Sequence, residues 1–145
     1  MNEKASTIYP PILLVEDNPV DVDLTLRAFA KRKLVNKVIV ARDGEEALAW
    51  IPRWLAGETK PAVILLDLKM PRVDGLTVLE TLKSHIELQQ IPIVILTTSK
   101  EDRDISKAYQ LGANSYIIKP VDFEKFMDVA QQIQLYWCAL NEFPG

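Results

Sequence analysis

Five short apolar runs punctuate the chain, at 12–15, 37–40, 63–66, 93–96 and 116–118. They are nearly unbroken rather than alternating, which predicts strands covered on both faces and therefore a parallel sheet. Between them the apolar spacing becomes helical. Val20, Leu24 and Ala28, with Phe29 alongside, form a first stripe that fades into the basic segment Lys31-Arg32-Lys33. Ala47, Leu48, Ile51 and Leu55 form a second, and Leu76, Leu79 and Leu82 a third. A fourth helix closes at Leu111-Gly112, and a fifth starts at Asp122 and extends to about 140. Strict strand–helix alternation with right-handed crossovers gives a doubly wound α/β fold of five parallel strands and five helices.

The punctuation agrees with that pattern. Asn18-Pro19 suits a turn and a helix start, since proline is tolerated at the first helical position. Arg42-Asp43-Gly44 punctuates the second strand, Asp74-Gly75 starts the third helix, and Ser99 with Asp102 fits a capping box for the fourth. Gly112 suits the left-handed position after a helix. Pro52 lies inside the second stripe, where it removes a backbone donor, so a kink or break is expected there.

Composition narrows the class. With 145 residues, 48% of them hydrophobic and 26% charged, the chain suits one globular domain spanning 1–145, with an N-terminal arm at 1–10 and an extended last helix at 123–140. A net charge of −3, with 17 basic residues spread along the chain, gives no reason to expect direct nucleic-acid binding. One cysteine, Cys138, and one histidine, His85, leave no internal disulfide and no Cys/His metal cluster. Cys138 reads as a packing residue and His85 as a surface one. The polar start MNEKASTIYPP has no signal core, and no apolar run approaches membrane-span length, so no membrane role and a cytoplasmic location are expected.

In a doubly wound sheet, ligands sit at the carboxyl ends of the strands. Those ends carry Glu16 and Asp17 after the first run, Asp67 after the third, Thr97 after the fourth and Lys119 after the fifth. A lone strand-end carboxylate such as Asp67 is either a solvated cap or a reactive group. Three carboxylates, a hydroxyl and an ammonium at neighbouring ends form a site. Two carboxylates 4 Å apart repel by roughly 4 kcal/mol at an effective dielectric near 20, so the cluster needs protons, a cation, or both. Lys119 can offset one charge. A hard divalent ion such as Mg2+, usually held by carboxylates, waters and a phosphoryl oxygen, would offset the others.

The segments LLVEDNPVD, LLDLKMPRVDG, ILTTS and YIIKP, in this order, resemble the four signatures of the receiver domain of two-component response regulators. The resemblance implies a flavodoxin-like sheet of order 2-1-3-4-5 and covers nearly the whole chain from Ile12. It implies that Asp67 accepts a phosphoryl group from a sensor histidine kinase, and that Asp17 binds Mg2+ directly. Glu16, where the family usually has aspartate, would assist through water, and the backbone carbonyl of Lys69 would add a ligand. Thr97 and Lys119 would hold phosphoryl oxygens, Tyr116 would follow Thr97 as a switch, and the Lys119-Pro120 bond would be cis. The moving surface would be the fourth helix, fifth strand and fifth helix. Lys69 and Ser99, each two residues past a site residue, are the positions where the family tunes acyl-phosphate lifetime.

Two further features carry expectations. Phe126, Val129, Ala130, Ile133, Trp137 and Leu140 share a helical stripe, with Tyr136 beside it, and predict a homodimer through the last helix and its neighbouring strand. A receiver without an output domain is expected, signalling to a downstream protein by contact. The 52–61 segment, the IPIVILTTS run and the aromatic C-terminus are similar to single-domain regulators paired with bacterial phytochrome-type sensors. Two alternatives stay open. A phosphatase of the haloacid dehalogenase type also uses an aspartate nucleophile, but wants an aspartate pair two residues apart, where this chain has Asp67-Leu68-Lys69. A constitutive dimeric adaptor would keep the pocket without being phosphorylated.

Overall fold

The computed structural model describes residues 9–31 and 35–140, the side chain of Leu140 excepted. The expectations for the arm at 1–8, for Arg32-Lys33 and for the packing of Leu140 lie outside the described residues. The strands are β1 (Ile12–Val15), β2 (Val38–Ala41), β3 (Val63–Leu66), β4 (Ile93–Thr97) and β5 (Ser115–Ile118). All pair in parallel, in the order β2-β1-β3-β4-β5.

The unbroken runs are explained by which side each residue packs on. Leu13, Val15, Ile64, Leu66, Ile93 and Ile95 join one core cluster, while Ile12, Leu14, Val63, Leu65, Val94 and Leu96 join the other. Successive side chains point to opposite faces and both faces are covered. Each such aliphatic side chain contributes about 1.5–3 kcal/mol through burial. The edge strands β2 and β5 are only partly buried.

The helices are α1 (Pro19–Lys31), α2 (Gly44–Leu48), α3 (Ile51–Leu55), α4 (Gly75–Lys83), α5 (Asp102–Gln110) and α6 (Phe123–Leu135). The second expected helix is broken into α2 and α3, and Pro52 occupies the first turn of α3, where its missing N–H costs nothing. The fourth and fifth expected helices are therefore α5 and α6. A 3-10 turn at Ile86–Leu88 follows α4, and a π-helical turn at Tyr136–Leu140 ends α6.

Two stripes need correction. In α1 the inward residues are Val22, Thr25, Ala28 and Phe29, and Val20 is 63% exposed. The helix starts at the rim of the sheet, so its first turn overhangs the core. In α3 the break rotates the face, burying Trp54 and exposing Leu55. Trp50 stacks near Trp54 with centroids 6.0 Å apart, and the Arg53 guanidinium lies 3.9 Å above the Trp50 ring.

Capping follows the punctuation at Asp43, Asp74 and Asp122, whose side chains accept from the N–H groups of Glu46, Thr77 and Lys125. Gly112 has φ +105 and ends α5 as expected. The expected Ser99–Asp102 box does not form. Glu101 is the N-cap residue, in extended backbone and without a side-chain cap, so α5 starts two residues too late for the box. Gly75 is needed for space: a Cβ there would lie 2.2 Å from the Asp67 carbonyl oxygen and 2.7 Å from Leu68 Cα. The start of α4 is thus pressed against the backbone that carries Asp67.

Candidate functional site

Strand register delivers the site. Val15 and Leu66 are paired, so Glu16 and Asp67 leave the sheet side by side, and the Asp67 N–H donates to Val15 O at 3.1 Å. At the other side of β4, the Lys119 N–H donates to Thr97 O at 2.7 Å. Glu16, Asp67, Thr97 and Lys119 are all buried, and Asp17 is exposed at the rim. The Lys119 ammonium reaches across the strand ends to Glu16 Oε1 at 2.7 Å, Asp21 Oδ2 at 2.8 Å and Asp67 Oδ2 at 3.4 Å.

One ammonium thus faces three carboxylates, with Asp17 a fourth acid nearby. Carboxylate oxygens of Glu16, Asp17 and Asp67 lie within 4.8 Å of one another. Burial raises the Glu16 carboxyl to about 7, overriding the Lys119 contact that pulls it down, with Asp67 adding a further push upward. For Lys119 burial acts downward, and the hydrogen bonds to Asp21 and Glu16 more than offset it, so the ammonium stays firmly charged. This excess of negative charge, presented by oxygen donors alone, fits a hard divalent cation.

Asp21 was not among the expected site residues. It lies in the first turn of α1, where an acid reads as a partner of the helix dipole. The available signal was topological, because helix starts in this fold share an edge with the strand ends. Asn18 fixes that turn, its Oδ1 accepting from Val20 N at 2.9 Å and Asp21 N at 3.4 Å, while its own N–H donates to Glu16 Oε2 at 3.2 Å.

The remaining expected residues surround this cluster without bonding to its carboxylates through their side chains. Lys69 places its backbone N–H 3.4 Å from Asp67 Oδ1, but its ammonium turns away to Asp104 Oδ2 at 3.2 Å. The Thr97 hydroxyl oxygen receives the Ser99 N–H at 3.4 Å. The Tyr116 hydroxyl donates to Ser99 O at 3.0 Å, and burial pushes the pKa of its phenol above the ordinary value. The expected cis bond at Lys119-Pro120 is absent, as no described peptide bond is cis. The chain there takes the isomer that X-Pro bonds intrinsically favour. His85 is half-buried at the N-cap of the 3-10 turn that follows α4. Cys138 packs against the second core cluster, and burial lifts its thiol to about 11.

A buried carboxylate flanked by acids and a lysine, at the carboxyl edge of a 2-1-3-4-5 sheet, defines a receiver. Residues 12–131 match the response regulator receiver domain, and the chain belongs to that family. Among relatives, it is 41% identical to the probable methanogenesis regulatory protein FilR2 of Methanothrix harundinacea over 92% of this chain and 87% of that protein. Among solved structures, it is similar to the phosphorylated cyanobacterial phytochrome response regulator RcpA, with 35% identity, a TM-score of 0.87, and coverage of 94% of this chain and 99% of that one. The Mn(2+)-bound form of response regulator Rcp1 gives 32% identity, a TM-score of 0.86 and coverage of 94% and 99%. Among the described residues, no helix is long and apolar enough to cross a membrane.

Proposed function

We propose that Asp67 accepts a phosphoryl group from the phosphohistidine of a sensor histidine kinase, and that the protein works in the cytoplasm as a phosphorylation switch rather than as an enzyme on an external substrate. The observation that carries this reading is a buried Asp67 held between Glu16 and Lys119, with Asp17 at the mouth. Glu16, Asp17 and Asp67, with the Lys69 carbonyl, would hold Mg2+. When bound, the ion would offset the excess carboxylate charge and draw on phosphoryl oxygens.

An Asp67 carboxylate oxygen attacks phosphorus as the P–N bond to the kinase imidazole breaks, leaving an acyl phosphate on Asp67. The Lys119 ammonium, 3.4 Å from Asp67 Oδ2, is placed to pair with a transferring oxygen. Thr97 then turns its hydroxyl to the new dianion, and Tyr116 follows, shifting the face made by α5, β5 and α6. Phosphorylation biases this face only by its differential interaction with the two states. The likeness to RcpA supports a kinase of the phytochrome type as the donor.

Incubation with Mg2+ and acetyl phosphate is expected to add one phosphoryl mass to the wild type and none to Asp67→Asn. A wild type that gains no mass returns the protein to the adaptor reading. Turnover of a free phosphate ester that Asp67→Asn abolishes would favour the phosphatase. Because Glu16 carries a proton below about 7, Mg2+ must displace it there. Mg2+ affinity should therefore rise with pH up to about 7 and level off above it, as a calorimetric titration at several pH values would report.

The shifted face includes a surface suited to a second copy of the chain. A cleft of about 590 Å³ runs between β5 and the end of α6, lined by Ile117, Val129, Ile133, Tyr136 and Trp137 among others. Tyr136 is 51% exposed, whereas Trp137 packs against its own core cluster. Tyr136→Glu should therefore shift the sedimenting species towards monomer while leaving the melting temperature nearly unchanged. An unaltered mass would exclude this surface as the dimer contact.

A further inference from the structure

Among the described residues, one buried charge remains unused by the mechanism. Asp104, in the first turn of α5, is 8% exposed, although α5 is otherwise a largely polar helix. Its Oδ2 accepts the Ser99 hydroxyl and lies 3.2 Å from the Lys69 ammonium. Lys69 follows Asp67 by two residues and Ser99 follows Thr97 by two, on adjacent strands. The Lys69 N–H lies against Asp67 Oδ1, the Ser99 N–H against Thr97 Oγ1, and the Tyr116 hydroxyl donates to Ser99 O. Asp104 therefore ties together the two loops that leave β3 and β4, directly beside the acceptor. The Ser99 hydrogen bond and the Lys69 ammonium also hold its carboxyl below the usual range.

We propose that Asp104 is a positioning residue that closes the Lys69–Ser99 bridge across the mouth of the site and so slows the attack of water on phosphorylated Asp67. The inference rests on the reading of Asp67 as phosphoryl acceptor. In that hydrolysis the water oxygen bonds to phosphorus, and the P–O bond to Asp67 breaks with its electron pair returning to the carboxylate. Inorganic phosphate leaves with the water oxygen, and a proton passes to solvent. The bridge restricts approach because the Lys69 stem and the Ser99 loop are held side by side rather than free to part. Asn at 104 can still accept the Ser99 hydroxyl but offers Lys69 no charge, and Met at 69 keeps the stem but removes the ammonium. Either change cuts the same link from opposite ends.

The test starts from protein phosphorylated with acetyl phosphate and Mg2+, freed of donor, and followed by intact mass. Asp104→Asn should lose its phosphoryl group about three- to tenfold faster than the wild type, the scale expected for one charge-assisted contact. Lys69→Met should fall in the same range, and the double variant should be no faster than the faster single one, since both break one bridge. A residue that merely supports the fold would act additively with Lys69→Met. Phosphorylated Asp104→Asn decaying at the wild-type rate or more slowly, or a double variant that multiplies the two effects, overturns the inference alone. A wild type that takes up no phosphoryl group overturns the acceptor reading, and this inference with it.

Discussion

Lys119→Met is expected to cut phosphorylation by acetyl phosphate by about 10²- to 10³-fold, the scale seen when a preorganised charge facing a reacting oxygen is removed. The same variant should bind Mg2+ more tightly. Both effects have one origin, because the Lys119 ammonium occupies Glu16, Asp21 and Asp67 oxygens at 2.7, 2.8 and 3.4 Å. Removing it frees acceptors for a cation while depriving the phosphoryl group of its partner. Without metal the variant should also be less stable than the wild type by about 3 kcal/mol near pH 8, because its buried carboxylates lose the ammonium that pairs with them. That deficit has a pH sign. Glu16 already binds its proton more tightly in the folded chain, at about 7 against an ordinary 4.5. A carboxyl raised in this way favours the folded state at low pH and loses that contribution as pH rises through the interval between the two values. With Lys119 gone the carboxyl is raised further, so the deficit should shrink on acidification. Tight Mg2+ binding combined with poor phosphorylation, measured by calorimetry and intact mass, would separate the two roles of Lys119. Wild-type phosphorylation rates in the variant would remove Lys119 from the mechanism.

Gly75→Ala is expected to be severely damaging for the addition of a single methyl. The added carbon would fall 2.2 Å from Asp67 O and 2.7 Å from Leu68 Cα, both backbone atoms that cannot rotate aside. Overpacking against a well-ordered core costs about 1–3 kcal/mol, and contact with backbone places this case at the upper end. The strain also has a direction, because it displaces the segment that carries Asp67 relative to Glu16 and Lys119. Gly75→Ala should therefore lower both the melting temperature and the phosphorylation rate, the latter even well below melting. Gly57 offers a control: it has φ +106 but open space around its Cβ position, so Gly57→Ala should strain only the local turn. Equal phosphorylation rates in Gly75→Ala and wild type would mean that α4 does not set the position of Asp67.

The strands and the site they carry could be read from the sequence because their signals are local. Runs such as Val63–Leu66 are apolar at every position and so declare burial on both faces, which fixes a parallel sheet and places Asp67 at its carboxyl edge. Helix phase was less legible. Val20 and Leu55 have the right spacing for a buried stripe, but one overhangs the sheet and the other follows a break that turns Trp54 inward instead. Spacing shows that residues share a face; only packing shows which face is inward. Asp21 and Asp104 were hidden for another reason. Each lies in the first turn of a helix, where acids commonly complement the dipole, and their contacts with Lys119, Lys69 and Ser99 join elements far apart in sequence. The Ser99 hydroxyl followed suit, preferring the buried Asp104 carboxylate to the helix cap its spacing suggested.

The most direct test of the account locates the phosphoryl group itself. Protein treated with Mg2+ and acetyl phosphate is reduced with borohydride, which converts an aspartyl phosphate to homoserine, and then digested and mapped by mass spectrometry. The account predicts conversion at residue 67 alone, and none when Mg2+ is chelated before the donor is added. Conversion at Asp17 or another acid with Asp67 intact, or equal conversion without the metal, would contradict it.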